Sequence, residues 1–472
     1  MSFSGLEKIT GCHVVAIPYP GRGHINPMMN VCTLLASRGL AVTFVVTEKW
    51  LILLRPGSGS APNTLNIQFR SIPNVIPSEL TRGSDFAGFF EAVCTKMEAP
   101  FDQLLDQLHP PATSIIADTF LAWSVAVGNR RNIPVALLWP MAPSLFSFHY
   151  HCHLLVASGH LSIPFENISE RKDEIITYIP GIPAIRLGGL PSIYTRKNEI
   201  IKRILEAFSW VTKAQFILST SFYELQAHVI DTLRGILPIP IYPIGPSIPF
   251  MLLENRVTPS ETSSGNAVDY FKWLDCQPKN SVLYVSLGSF LSASATQMHE
   301  IAMGLQTSGV RYLWIARAEA LNLQETCGEM GLVVPWCDQL RVLSHSSVAG
   351  FFTHCGWNSI LEAIYSGMPM LTFPLLVDQI PNSNLIVEDW KIGLRVKEEI
   401  GVENVVGRDK IARVVQRLMD GDEGIDLRER AKELQRSCQG AIEKDGSTFT
   451  NLHAFMGDLL RITNLEFVNE RT

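Results

Sequence analysis

His13-Val-Val-Ala-Ile-Pro18, continued by Tyr19-Pro20-Gly21-Arg22-Gly23-His24-Ile25-Asn26-Pro27, sets the fold class. The first run is short, apolar and rich in β-branched residues, as a strand buried on both faces must be. A Gly-rich turn follows, then a helical stretch from about Pro27 to Ser37 and a second strand from Leu40 to Thr47. Strand, helix and strand in that order form the unit of a parallel sheet with helices on its faces. Ser114–Asp118, Val135–Leu138 and Gln215–Ser219 extend the pattern.

The second half repeats the plan. Ser281–Leu287, Tyr312–Ala316, Gly331–Pro335, Val348–Thr353 and Met370–Phe373 read as buried strands. Helical patterns fall near Thr296–Ser308, Asn358–Ser366 and Ile380–Trp390. Between the halves, Gly245 to Asn266 holds Pro246, Pro249, Pro259 and Ser263-Ser264-Gly265, the composition of a loop or linker. The expected fold is α/β: two doubly wound parallel-sheet domains, 1–245 and 276–447, joined by 246–275, with a cleft between them. No tandem repeat is visible.

Composition narrows the function. Hydrophobic residues make up 46% and charged residues 18% of the 472, enough for large cores and too little charge for disorder. The net charge is −6 and no basic block occurs, which argues against nucleic acid as a partner. Nine cysteines without a C-x-x-C pair suit a reducing compartment better than a disulfide framework or zinc module. His149-Tyr150-His151-Cys152-His153 has no zinc spacing. Met1 to Gly11 lacks the pattern of a signal peptide, so the sequon Asn167-Ile168-Ser169 carries little weight. No run of about 18 apolar residues suggests a membrane span. A cytoplasmic protein is expected.

The turn at Gly21 and Gly23 starts like a dinucleotide fingerprint, but Asn26 stands where the third glycine belongs. The nearest acidic residue to the end of the second strand is Glu48, so a nicotinamide-dependent oxidoreductase is disfavoured. What remains is His24 at the carboxyl end of the first strand. A loop histidine is ordinarily just solvated, and Asp118 at the end of another strand could simply cap a helix. Together they have the makings of a general base and the carboxylate that holds its tautomer.

The densest signal runs from Trp336 to Gln379: WCDQLRVLSHSSVAGFFTHCGWNSILEAIYSGMPMLTFPLLVDQ. His354-Cys355-Gly356-Trp357-Asn358-Ser359 follows a strand and opens a helix, where free N–H groups and the helix dipole suit a pyrophosphate. Glu362, one turn on, can accept from a ribose diol. Trp336 offers a flat face for a base, and Asp378 with Gln379 offers partners for sugar hydroxyls. Singly, each has a bland explanation as core aromatic or surface charge.

This stretch resembles the donor-binding signature of the plant UDP-glycosyltransferases of family 1. The elements T-H-C-G-W-N-S at 353–359, L-E-A at 361–363, G-M-P-M at 367–370 and D-Q at 378–379 carry the likeness. His24, Asp118 and the turn Ser286-Leu287-Gly288-Ser289 agree with it. The resemblance implies two facing Rossmann-like domains of the GT-B type, acceptor-binding first and UDP-sugar-binding second. A last helix, about 448–472, would pack back on the first domain. Trp336 would stack on uracil, Cys337 would meet the base through its backbone, and Gln339 and Glu362 would hold ribose. Ser289, His354, Asn358 and Ser359 would hold the phosphates, and Trp357, Asp378 and Gln379 the sugar. His24 would be the base and Asp118 its partner, in an inverting transfer of glucose from UDP-glucose that forms a β-O-glucoside. No cofactor or metal is implied beyond the UDP-sugar co-substrate, and a monomer is expected.

Two departures stand out. The family's W-A-P-Q reads Trp336-Cys337-Asp338-Gln339 here, and a threonine is replaced near Pro140. Asp338 is expected to weaken donor binding by its charge. Both departures keep a catalytically impaired sugar-nucleotide binding protein in play. The acceptor pocket is expected from Phe86–Phe90, Leu145–His153 and Ile182–Ile193, whose composition suits a small lipophilic or aromatic acceptor.

Overall fold

The computed structural model describes residues 11–54, 66–78, 85–161, 171–195, 198–250, 269–288, 293–316, 330–398 and 405–463. The sequon, most of the expected linker, Ser289 and the end of the expected last helix lie outside the described residues. The chain divides into two compact units.

The first unit comprises Met1–Leu187, Tyr194–Ile248 and Gly440–Thr472. Its strands are β1 (His13–Ile17), β2 (Ala41–Thr47), β3 (Ile67–Ile72), β4 (Ser114–Asp118) and β5 (Val135–Trp139). A small antiparallel pair, β6 (Ile175–Ile176) with β7 (Ile185–Arg186), precedes β8 (Phe216–Ser219) and β9 (Ile241–Pro243). The parallel sheet has the order β3-β2-β1-β4-β5-β8-β9. β1, β4 and β5 are buried along their whole length, as their unbroken apolar runs require. β1 pairs with β2 on one side and β4 on the other, with Ile17 opposite Ala117. The strand order reverses there, and ligands bind outside the carboxyl ends of strands at such a switch point.

The helix after β1 runs Arg22–Ala36 and so begins five residues before the predicted start, with Pro27 inside it. Gly21 precedes it in extended conformation, and the N–H groups of His24 and Ile25 both reach the Gly21 carbonyl at 2.9 Å. Proline in the second turn costs this helix one backbone bond without ending it, so His24 sits in a first helical turn rather than a loop.

The second unit comprises Gly188–Ile193 and Pro249–Gln439. Its strands are β10 (Val282–Ser286), β11 (Arg311–Ile315), β12 (Gly331–Val334), β13 (Val348–Thr353), β14 (Met370–Thr372) and β15 (Gly393–Arg395). All are parallel, in the order β12-β11-β10-β13-β14-β15. The reversal falls between β10 and β13, whose carboxyl ends lead into Leu287-Gly288 and His354-Cys355. Leu283, Val285, Tyr312, Trp314, Phe352 and Leu371 fill one face of this sheet beneath helices Ala295–Ser308 and Arg408–Met419. Gly188–Ile193, part of an expected acceptor-side segment, groups with this unit.

Helix Ser447–Ile462 belongs to the first unit. Its Phe455 packs on Phe216 at 5.5 Å and Tyr242 at 5.8 Å, and Tyr242 donates to Asp458. Among the described residues no helix is long and apolar enough to cross a membrane.

Candidate active site

In the first unit, the ends of β1 and β4 bring His24 and Asp118 together. His24 Nδ1 lies 2.7 Å from Asp118 Oδ2. The Asp118 side chain is buried at 1% exposure, whereas His24 keeps 19%. The other carboxylate oxygen, Oδ1, accepts from the Phe120 N–H at 3.1 Å. An ionised carboxylate only accepts, so the proton belongs on Nδ1 and the lone pair on Nε2. Tyr19 and Phe120 flank the imidazole, with ring centres 4.9 and 6.0 Å away.

Aromatic packing continues outward from this pair. Phe90 touches Tyr19 and Phe120 at 5.8 Å each, and Trp139 meets Phe120 at 5.7 Å. His149 packs against Trp139 and Phe120, and its Nδ1 lies 2.6 Å from the Tyr194 hydroxyl. Burial pushes the His149 pKa down to about 3, so this imidazole is neutral. His151 Nδ1 turns instead to the Ser147 side chain and carbonyl.

In the second unit, Trp336 leaves the end of β12 with 69% of its surface exposed, an open indole face. Cys337 is buried, and its Sγ lies 3.3 Å from the Tyr284 hydroxyl. Gln339 Nε2 donates to Glu362 Oε2 at 2.7 Å and to Ser359 Oγ at 3.1 Å. Tyr284 donates to Gln339 Oε1 at 3.2 Å, which fixes the orientation of the amide. Loss of water around Glu362 pushes its pKa up to about 7; Gln339 opposes the shift and the charge of Asp338 adds to it.

Asp338 has a local task that its charge alone does not suggest. It is the N-cap of helix Gln339–Leu343, its carboxylate accepting from the Arg341 N–H at 3.3 Å. Its own N–H donates to the Tyr270 hydroxyl at 3.1 Å. A proline could do neither.

His354 follows β13 with its ring packed between two glycines. A Cβ on Gly288 would stand 2.6 Å from Nε2, and one on Gly356 2.5 Å. Gly288 also takes a φ of +84°. Burial lowers the His354 pKa to about 4 against the contrary pull of the Ser286 carbonyl, so the ring is neutral. Helix Trp357–Tyr365 opens at Gly356 with no side-chain cap and no acid in its first turn. Trp357, Asn358 and Ser359 are its first residues, at the end of a helix where N–H groups and the helix dipole point outward. His354 Nδ1 and Trp357 Nε1 are buried without partners among the described residues.

Asp378 and Gln379 come from the loop after β14. Gln379 Oε1 accepts from the N–H groups of Leu375 and Leu376 at 2.7 and 3.0 Å. Asp378 Oδ2 accepts from Asn382 Nδ2 at 2.8 Å, and the same amide donates to the Cys355 carbonyl at 3.0 Å. Asn382 thus ties the Asp378 loop to the turn at His354. No motif singles it out in the sequence. Tyr284 escapes notice for the same reason, since a strand tyrosine is ordinary.

Comparison with known proteins agrees with this layout. The UDP-glucoronosyl and UDP-glucosyl transferase model matches residues 257–406, and a glycosyltransferase N-terminal domain model matches 10–136. UDP-glycosyltransferase 87A2 of Arabidopsis thaliana is 48% identical, covering 94% of this chain and 96% of that protein. The chain belongs to the UDP-glycosyltransferase family. UDP-glycosyltransferase 87A1 of the same plant is 44% identical over 94% of this chain and all of its own length. Phytolacca americana UGT2, solved with UDP-2fluoro-glucose and pterostilbene, shares 28% identity at a TM-score of 0.78, covering 96% of this chain and 99% of that one. Medicago truncatula UGT71G1, complexed with UDP-glucose, shares 25% at 0.79, with coverage of 95% and 98%. This UDP-glycosyltransferase therefore has the GT-B fold of the plant enzymes and transfers sugar from a UDP-sugar to a small-molecule acceptor.

Proposed function

We propose that the enzyme transfers glucose from UDP-glucose to a hydroxyl of a small lipophilic or aromatic acceptor, forming a β-O-glucoside by one inverting displacement. The observation that carries this is the 2.7 Å contact of His24 Nδ1 with buried Asp118. It leaves Nε2 as the base that takes the acceptor proton as the oxygen attacks the anomeric carbon. Asp118 holds the tautomer and stabilises the imidazolium that forms. The aromatic surroundings of His24 support an apolar acceptor.

On the donor side, Trp336 and the Cys337 backbone take uracil, and Gln339 and Glu362 take ribose. The start of helix Trp357–Tyr365, with Ser289, His354, Asn358 and Ser359, takes the diphosphate. A neutral His354 meets the leaving group with an N–H rather than a full charge, so the helix N-terminus carries much of its stabilisation. Trp357, Asp378 and Gln379 take the sugar, and Gln379 favours glucose over galactose. No cofactor or metal takes part, and the enzyme works as a cytoplasmic monomer. A UDP-glucose complex of a relative at 25% identity and a Catharanthus roseus 7-deoxyloganetin glucosyltransferase at 33% identity support glucose as the sugar.

UDP release from UDP-glucose or UDP-galactose, with a panel of phenols and alcohols, tests this. Wild type should turn over UDP-glucose faster. His24→Ala should lose roughly 10²–10⁴-fold with alcohols and less with acidic phenols, while UDP binding persists. Near-full activity of the variant would remove His24 as the base, and faster use of UDP-galactose would overturn the donor assignment.

A further inference from the structure

We infer that Ser192 is a positioning residue for the donor sugar. It belongs to Gly188–Ile193, the short segment that packs as part of the second unit although its sequence neighbours belong to the first. Ser192 is buried at 4% exposure and opens a short 3-10 turn, Ser192–Thr195. It makes two reciprocal hydrogen bonds with one residue. The Val377 N–H donates to Ser192 Oγ at 2.7 Å, and the Ser192 N–H donates to the Val377 carbonyl at 3.0 Å.

Val377 is the residue before Asp378, and it stands at a φ of +58°. A β-branched side chain rarely takes the left-handed region, because Cβ crowds the carbonyl oxygen, so something must hold it there. Ser192 holds both backbone polar groups of Val377. From the other side, the Gln379 carboxamide gathers the N–H groups of Leu375 and Leu376, and Asn382 holds the Asp378 carboxylate. The turn is thus pinned at Leu375, Leu376, Val377 and Asp378. Of these pins only Ser192 comes from outside the 375–382 stretch. Releasing it lets Val377 relax to negative φ, which swings the backbone that aims Asp378 and Gln379. This rests on the proposal that those two residues touch the sugar.

The test compares Ser192→Ala, Asp378→Ala and the double variant Ser192→Ala/Val377→Asn with wild type. For each, KM for UDP-glucose, kcat, the glucose-to-galactose preference and the inhibition constant of UDP are measured. UDP lacks the sugar, so its constant reports only base, ribose and phosphates. Ser192→Ala should raise the UDP-glucose KM about tenfold, the scale of one partly buried N–H left unpaired, and narrow the preference. The UDP constant should stay within about twofold, since no contact to UDP is changed. Asparagine tolerates the left-handed region, so Val377→Asn should recover much of the loss. If Asp378→Ala impairs UDP-glucose use while Ser192→Ala does not, the positioning role is wrong and the sugar contacts stand. If neither variant changes it, the sugar contacts fail and the inference with them. An equal rise in both constants would mean general loosening of the unit and would also overturn it.

Discussion

On the proposal that Glu362 accepts from a ribose diol, its ionised form is the better acceptor, and its surroundings hold that form back. Its pKa rises from 4.5 to about 7 because burial disfavours the charge. The sign follows from linkage. Below 4.5 the group is protonated whether the chain is folded or not; between 4.5 and about 7 the ligand-free fold loses stability as it keeps a proton the unfolded chain gives up, and above about 7 it bears the full cost of ionising the group. A bound diol favours the ionised form, so donor binding should tighten with rising pH. UDP-glucose affinity measured by calorimetry from pH 6 to 8 should increase, and Glu362→Gln should bind more weakly and lose the slope. UDP-glucose suits the measurement because its diphosphate has no proton to lose in that window. Asp338 adds to the same shift through its charge while capping its helix. Asp338→Asn keeps a capping oxygen and removes the charge, so it should tighten UDP-glucose binding and lower the pH at which affinity rises. Asp338→Ala should cost about 0.5–2 kcal/mol of stability in chemical denaturation. The cap is a contact that a sequence does not display. His24 and Asp118 stood out in the sequence because one follows the first strand in a Gly-flanked turn and the other ends a strand. Ser192 and Asn382 were not, because a serine or asparagine bonded to distant backbone looks like any other.

At the scale of elements, the unbroken apolar strands were readable almost to the residue: β4 and β13 lie as predicted from Ser114 and Val348. β3 was missed because Ile67-Gln68-Phe69-Arg70-Ser71-Ile72 is an edge strand with its middle exposed, so it lacks the apolar run. β9 and β15 are three-residue edge strands, one ending in proline and one beginning in glycine, which weakens the signal. The stretch predicted as one helix over Ile380–Trp390 is a helix, Gln379–Asn384, passing into a π turn at Leu385–Asp389. Helix Trp357–Tyr365 carries a prediction of its own. Gly356 has an ordinary φ of −67°, so an alanine there is opposed by the His354 ring and not by the backbone. Gly356→Ala should keep the circular-dichroism spectrum and lose UDP affinity as His354 is pushed from the phosphate end of the helix. Unchanged UDP binding would show that the position of His354 does not matter to the diphosphate.

For the molecule as a whole, the two sheets repeat one arrangement. Each reverses strand order beside its first strand, β1 with β4 and β10 with β13, and each places its candidate chemistry at the carboxyl ends of that pair. The first holds the His24 imidazole beside the buried Asp118 carboxylate; the second holds the start of helix Trp357–Tyr365 and the Gln339–Glu362 pair. Periodicity made the duplication visible, but membership of Gly188–Ile193 in the second unit depends on tertiary packing and has no local signal. The proposed reaction has the sugar change hands with inversion under His24 catalysis. The most direct measurement is a proton NMR time course of UDP-glucose with a lipophilic alcohol, following the anomeric signals for wild type and His24→Ala side by side. The account predicts that the α-anomeric signal of the donor gives way to that of a β-glucoside, and that the variant leaves the donor signal nearly unchanged. An α-glucoside as first product, or a β-glucoside formed by the variant at the wild-type rate, would contradict it.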